Sequence, residues 1–226
     1  LGSSSSFSVG LIKALLEYKK ITETTESIAE LACKLEIDIC CNPIGKQDQY
    51  AAAFGGLNVF VFNQDDSVKI KKVKCSNKTI QNLNEETLAF YIGGKRSANE
   101  ILKEQSEEIK KTEKLEAMKK MVDLVWVLKK EFESNSTEDF GAILHENWII
   151  KRDLSKGISS SYINEVYNVA INSGATGGKL LGAGGGGFMI FHAPSEISKL
   201  KIRKNLEKLR EVKFNIEPSG TVVRFF

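Results

Sequence analysis

The stretch Pro43-Ile44-Gly45-Lys46-Gln47-Asp48-Gln49-Tyr50-Ala51-Ala52-Ala53-Phe54-Gly55-Gly56 sets one carboxylate, Asp48, near the start of a short predicted helix. The residue before a proline is biased away from helix, so the break at Asn42-Pro43-Ile44-Gly45 precedes the helix start. The helix is expected from Gln47 to Phe54, stopping at Gly55-Gly56, where glycine takes the left-handed conformation that closes helices. An acid in a first turn complements the helix dipole, and a positioned carboxylate can also take a proton from a substrate. The residues alone leave both roles open for Asp48.

Toward the N-terminus, Ile28, Leu31, Ala32, Leu35 and Ile39 form one stripe, which predicts an amphipathic helix over Ser27–Asp38 with Ser27 and Glu30 spaced as a capping box. Glu36 lies on this helix beside Ile37 and near Asp38, a position that suits a solvated face as well as a functional acid. Earlier still, Gly2-Ser3-Ser4-Ser5-Ser6 leads into Phe7, Val9, Leu11, Ile12, Leu15 and Leu16, a helix expected over Ser4–Tyr18 that is apolar nearly all round and so needs partners on several sides. The serines read as its cap. The first turn of a helix also exposes unpaired N–H groups and the positive end of its dipole, so the same serines suit an anion. The chain opens at Leu1, without methionine and in mid-motif, so a preceding segment is expected.

Toward the C-terminus, strands are expected at Leu57–Asn63 and Val68–Cys75 around the turn Gln64-Asp65-Asp66-Ser67. Asn77–Asn84 is polar without periodicity and marks a domain boundary, which divides the chain into 1–78 and 79–226. A strand at Leu88–Ile92 reaches Gly93-Gly94. Helices are then expected over Ala98–Glu133, Thr137–Asp153 and Ser161–Ser173, followed by a glycine-rich turn, a strand at Phe188–His192, a helix at Glu196–Arg210 and closing strands at Val212–Ile216 and Thr221–Phe225. Strands joined in hairpins among helices predict an α+β fold rather than a parallel doubly wound sheet.

The glycine-rich turn, Gly174 to Gly187, holds eight of the chain's 18 glycines. Such density destabilises regular elements and is tolerable where backbone approaches a ligand closely, with Lys179 at hand to neutralise phosphate. It is neither a Walker A loop nor a clean dinucleotide fingerprint.

Composition narrows the function classes. Lys plus Arg number 32 against 29 Asp plus Glu, a net charge of +3 that gives no basic excess for nucleic acid. No apolar run reaches the ~20 residues of a bilayer span, which points to a soluble, cytoplasmic protein without membrane partners. Cys33, Cys40, Cys41 and Cys75 form no CxxC pair and read as reduced thiols, and two histidines, His145 and His192, give no transition-metal cluster.

Three segments in this order resemble those of the galactokinase, homoserine kinase, mevalonate kinase and phosphomevalonate kinase (GHMP) superfamily. Leu1-Gly2-Ser3-Ser4-Ser5 resembles its second motif, Gly-Leu-Gly-Ser-Ser, and Gly182-Ala183-Gly184-Gly185-Gly186-Gly187 resembles its third. Pro43-Ile44-Gly45-Lys46-Gln47-Asp48-Gln49 is similar to the sugar-kinase segment Pro-x-Gly-x-x-Asp-Gln, and its continuation to Gly56 looks most like D-glycero-D-manno-heptose 7-phosphate kinases and related fucose kinases. The resemblance spans essentially the whole chain.

It implies a two-domain GHMP fold, the C-terminal part of an S5-like first domain followed by a ferredoxin-like second one. It also implies an ATP- and Mg²⁺-dependent sugar kinase acting on a small-molecule sugar or sugar phosphate. In that reading Gly2, Ser3, Ser4, Ser5 and Ser6 bind the nucleotide phosphates, and Ser4 with Glu36 holds Mg²⁺. Asp48 takes or orients the acceptor proton, while Gly182, Ala183, Gly184, Gly185 and Gly186 close over the acceptor. Arg96, after Gly93-Gly94, suits a phosphate already on the acceptor or an exposed helix start equally well. The superfamily's first motif has no counterpart here, so this stretch alone is expected to be inactive. Ile37 stands where the heptose-kinase pattern has a basic residue, and Cys40-Cys41-Asn42-Pro43 departs from its glycine-rich connection. Alternatives are a catalytically silent, galactokinase-like sugar sensor and a kinase for fucose or galactose. The resemblance further implies that the three segments meet around a nucleotide's terminal phosphate.

Overall fold

The computed structural model describes residues 2–94, 112–155 and 157–224, and Arg96 and Leu1 lie outside them. The chain falls into two units, Gly2–Val73 with the stretch from Ile216, and Lys74–Asn215. The expected single cut after residue 78 would put the closing stretch in the second unit, whereas here it groups with the first.

The first unit packs α1 (Ser3–Tyr18), α2 (Thr25–Cys33) and α3 (Gln47–Phe54) against one another. Their shared core is Val9, Ile28, Ala29, Ala32, Cys33, Tyr50 and Ala53. Thr24, rather than Ser27, caps α2: its backbone is extended and its hydroxyl accepts the Ser27 N–H at 3.1 Å. The expected continuation to Asp38 is not α-helical. After Cys33 the chain widens into a π-helix, Lys34–Ile39. The serines are likewise not the cap of α1 but its first turn. Gly2, left-handed at φ 54°, occupies the cap position and no side chain caps the helix.

Only one side of α1 is covered; Phe7 is 70% and Tyr18 80% exposed, in contrast to the all-round burial its composition predicts. β1 (Asn58–Phe62) and β2 (Val68–Lys72) form the expected antiparallel hairpin, with Phe60 opposite Ile70. Tyr50 packs against Phe54, Phe60 and Phe62, tying α3 to this hairpin. Burial pushes the Cys33 thiol up to about 11, which keeps it protonated.

The expected closing strands are absent among the described residues. From Ile216 the chain lies along the end of α3: Gly56 N–H donates to the Glu217 carbonyl at 2.6 Å, and the Thr221 hydroxyl donates to the Ala52 carbonyl at 3.0 Å. Gly55 is required here, because a methyl group on it would fall 2.1 Å from the Gly220 nitrogen.

In the second unit the polar stretch after residue 76 is a helix, α4 (Asn77–Glu86), capped by the Ser76 hydroxyl, which accepts the Thr79 N–H. Its buried face, Thr79 and Leu83, is too narrow to register as an apolar period. β3 (Thr87–Gly93), α5 (Thr112–Glu133), α6 (Phe140–Arg152) and α7 (Ser161–Asn172) follow. β4 (Gly177–Leu180), β5 (Gly187–His192), α8 (Glu196–Asn205) and β6 (Arg210–Glu211) complete it.

The sheet is antiparallel in the order β4-β5-β3-β6. Trp148, Phe90, Phe191, Ile158, Leu180, Met189 and Ile202 fill its core. β4 runs through residues expected to be turn. Gly177 and Gly178 have poor strand propensity, yet only glycine fits there: a methyl group at Gly177 would fall 1.7 Å from the Gly141 carbonyl, and one at Gly178 would fall 2.5 Å from the Phe191 ring. α8 stops at Asn205, short of the expected Arg210, because the chain turns into β6 beside β3, where Arg203 grips Glu211 bidentately.

Candidate active site

The first unit brings together the start of α1, the π-helix and the start of α3. Gly2 faces Asp48; a methyl group at Gly2 would lie 3.4 Å from Asp48 Oδ2. Asp48, in the first turn of α3, is therefore adjacent to the start of α1, although the two are 46 positions apart (48 − 2). Ser3, Ser4 and Ser6 are exposed and Ser5 is buried. The first N–H groups of a helix have no intrahelical partner, and α1 has neither a capping side chain nor an acid in its first turn. It thus offers donors and positive dipole charge to an anion.

Glu36 sits on the π-helix, which packs against α1. Such widened turns re-aim one side chain and recur at functional sites. Glu36 is 3% exposed, and its Oε2 accepts a 2.7 Å hydrogen bond from Gln49 Nε2. Its other oxygen, Oε1, is buried without a hydrogen-bond partner, as is Gln49 Oε1. A buried carboxylate oxygen left unpaired is costly, and a cation or a hydrogen-bond donor would satisfy it. Among the described residues no three His, Cys, Asp or Glu side chains gather as a metal cage. Mg²⁺ suits this sparse donor set, because it keeps water and phosphate oxygens and takes one or two protein ligands.

Gln49 stood in the sequence as a motif position without an assigned role. Its separation of 13 residues from Glu36 has no helical or strand period, and the signal was its place after Asp48 in the Pro-x-Gly-x-x-Asp-Gln segment. Lys46, in the same segment, is taken by Asp66 of the hairpin turn at 2.8 Å, which raises its pKa.

The glycine-rich loop belongs to the second unit and joins β4 to β5. Gly182, Gly184, Gly185, Gly186 and Gly187 all have positive φ. Much of their need for glycine is met by protein. A methyl group at Gly184 would fall 2.8 Å from Ile158 Cα, and one at Gly186 would fall 2.4 Å from the Gly93 carbonyl. Gly182 and Gly187 are different: nothing lies within 4 Å of the space their side chains would fill. Lys151 of α6 donates to the Gly182 carbonyl at 2.5 Å, and Lys179 of β4 donates to Asn147 Oδ1 at 2.6 Å. Lys151 was not anticipated. The pair Asn147 and Lys151, one turn apart on this helix, was the available signal.

Comparison with known proteins agrees with this architecture. The model of the GHMP kinases N terminal domain matches residues 1–56, and that of the GHMP kinases C terminal matches residues 128–210. A D-glycero-alpha-D-manno-heptose 7-phosphate kinase of Campylobacter jejuni is 33% identical over 194 residues, covering 84% of this chain and 56% of the relative. A bifunctional fucokinase/GDP-fucose pyrophosphorylase of Arabidopsis thaliana is 24% identical over 215 residues, 93% of this chain and 20% of that protein. The crystal structure of a D-glycero-D-manno-heptose 1-phosphate kinase from Bacteroides thetaiotaomicron superposes with a TM-score of 0.75 at 24% identity. That match covers 97% of this chain and 61% of that one, and at this identity it speaks for the fold alone. The chain spans little more than half the length of the heptose kinase it resembles. With both domain models matched in order along an α+β fold of two units, the chain belongs to the GHMP kinases.

Proposed function

We propose that the protein is an ATP- and Mg²⁺-dependent kinase that transfers the γ-phosphate to a hydroxyl, the anomeric one, of a heptose 7-phosphate or a related sugar, in the cytoplasm. The observation that carries this reading is the adjacency of an uncapped helix start to a carboxylate, Gly2 beside Asp48. Phosphoryl transfer asks a protein for little covalent chemistry; it asks for alignment and for compensation of charge on the moving group.

The N–H groups of Ser3, Ser4 and Ser5 hold phosphate oxygens at the positive end of α1. Asp48 orients the acceptor hydroxyl and accepts its proton as the bond to phosphorus forms. Ser4 and Glu36 are the residues that would hold Mg²⁺, and the unpaired Glu36 Oε1 fits that role. When bound, the ion neutralises charge on the β- and γ-phosphates. Gln49 keeps the Glu36 carboxylate in one orientation through its 2.7 Å hydrogen bond. The names of the relatives favour a sugar acceptor, and the heptose kinase favours one that already carries phosphate. Gly182 to Gly186 and Arg96 carry acceptor binding in this reading.

The test is turnover of the full-length protein with Mg²⁺-ATP and a panel of sugars and sugar phosphates, with the product located by phosphorus NMR. Phosphate appearing on the anomeric oxygen of a heptose 7-phosphate is the expected result. Measurable sugar binding with no ADP above background for any acceptor would replace the kinase with a silent sensor.

A further inference from the structure

Beside the glycine-rich loop, the second unit holds two lysines that no acid among the described residues neutralises. α6 crosses β4 at backbone contact, Gly141 against Gly177. Strand alternation then puts Lys179, two residues on from Gly177, on the same α6-facing side. Asn147 and Lys151 follow on α6 one turn apart. Lys179 Nζ donates to Asn147 Oδ1 and Lys151 Nζ to the Gly182 carbonyl. Both acceptors are neutral oxygens, and each uses one of the three protons of its ammonium. Among the described residues neither lysine has an ion-pair partner, unlike Lys46 with Asp66 or Lys199 with Glu196.

Burial brings the Lys151 pKa down to about 8, with the nearby positive Lys179 adding to the effect, and burial lowers that of Lys179 too. Two like charges held close and half-desolvated repel each other, and a dianion relieves that repulsion. The open space at Gly182 adjoins the Lys151 hydrogen bond.

We propose that Lys151 and Lys179, beside the open backbone at Gly182, form a binding subsite for a phosphate monoester dianion. The choice of phosphate among anions rests on the kinase reading; the cation pair does not. Such a phosphate comes either from a phosphorylated sugar or from the nucleotide, and the shared chemistry is a dianion met by two ammonium groups with protons to spare.

The test is amine footprinting of the full-length protein. Trace acetic anhydride is added at pH 8 without Mg²⁺, and labelling is read by mass spectrometry with and without inorganic phosphate. Bound dianion stabilises the protonated amines, so labelling of Lys151 and Lys179 is expected to slow about five-fold or more while exposed Lys19 stays within about two-fold. No protection, or equal slowing at Lys19, overturns the subsite. Repeating the experiment with a hexose 6-phosphate and with ADP assigns the source, and protection by either supports the subsite. As a second readout, Lys151→Gln and Lys179→Gln should each weaken calorimetric phosphate binding about ten-fold with unchanged circular dichroism, a loss of one charge-assisted contact. Unchanged affinity in both folded variants overturns it. Footprinting involves no turnover, so an active kinase with unprotected lysines loses only the subsite, and protected lysines without turnover leave only the kinase reading in default.

Discussion

The serine turn at the start of α1 and the glycine-rich loop between β4 and β5 look alike in composition, small residues that let backbone approach a ligand, yet they are built on opposite principles. Around the serine turn, polar groups are left over: the first N–H groups of α1 have no cap, and Glu36 Oε1 is buried with nothing to bond. In the loop, Gly184 and Gly186 face Ile158 and Gly93 so closely that their missing side chains are explained by protein alone. Density of glycine therefore does not distinguish a ligand cradle from a tight self-packed turn. Unsatisfied polar groups do, because burying them without a partner costs about 1–3 kcal/mol each. What the loop offers a ligand is instead the open space at Gly182 and the lysine pair beside it, whose ammonium groups are hydrogen-bonded but keep protons to spare.

That contrast breaks most decisively at Asp48. Asp48→Asn in the full-length protein is expected to lower kcat by roughly 10²- to 10⁴-fold with ATP affinity unchanged, measured by steady-state kinetics and nucleotide titration. An unaltered kcat removes Asp48 from the chemistry and leaves it a first-turn charge.

The loop should answer with stability instead. Gly186→Ala puts a methyl group against the Gly93 carbonyl at φ +153°, and a loss of about 3 kcal/mol is expected in denaturant unfolding. Gly182→Ala, strained only by its φ of +74° in open space, should lose about 1 kcal/mol. If the two lose the same amount, self-packing does not explain the loop.

Gln49→Leu leaves Glu36 buried with neither oxygen bonded, and the Mg²⁺ concentration for half activation should rise about 10- to 100-fold. A shift in protein stability with no change in the Mg²⁺ requirement would make Gln49 a packing residue.

The smallest effect concerns pH. Lys151 releases its proton near pH 8 in the folded protein, against the ordinary 10.5. Between those values the unfolded chain holds more protons, so stability rises with pH across that window. Lys151→Gln should flatten this rise. Phosphate binding, which needs the charged amine, should weaken as pH climbs through 8.

Much of the fold could be read locally. The α1 apolar run, the hairpin around Gln64-Asp65-Asp66-Ser67 and the helix ending at Gly55-Gly56 follow from periodicity and turn chemistry, which act within a few residues. What escaped was decided by distant partners. β4 exists because Gly141 and Phe191 leave room only for glycine, and the chain after Ile216 is held by α3 instead of forming strands. Asp48 and the serine turn were visible as candidates, but the bond that fixes Glu36 comes from Gln49 across a π-turn that no periodicity announces.

Residue order alone determined the family, the α+β class and the types of group available at the candidate site, because motifs and hydrophobic periods are properties of neighbouring positions. Tertiary structure decided how those groups are surrounded: Glu36 Oε1 is left without a partner, Gly186 is pressed on backbone, and Lys179 lies near enough to Lys151 to lower its pKa. The physical reason is that desolvation and pairing depend on everything that packs around an atom, and packing brings together residues that the sequence keeps far apart.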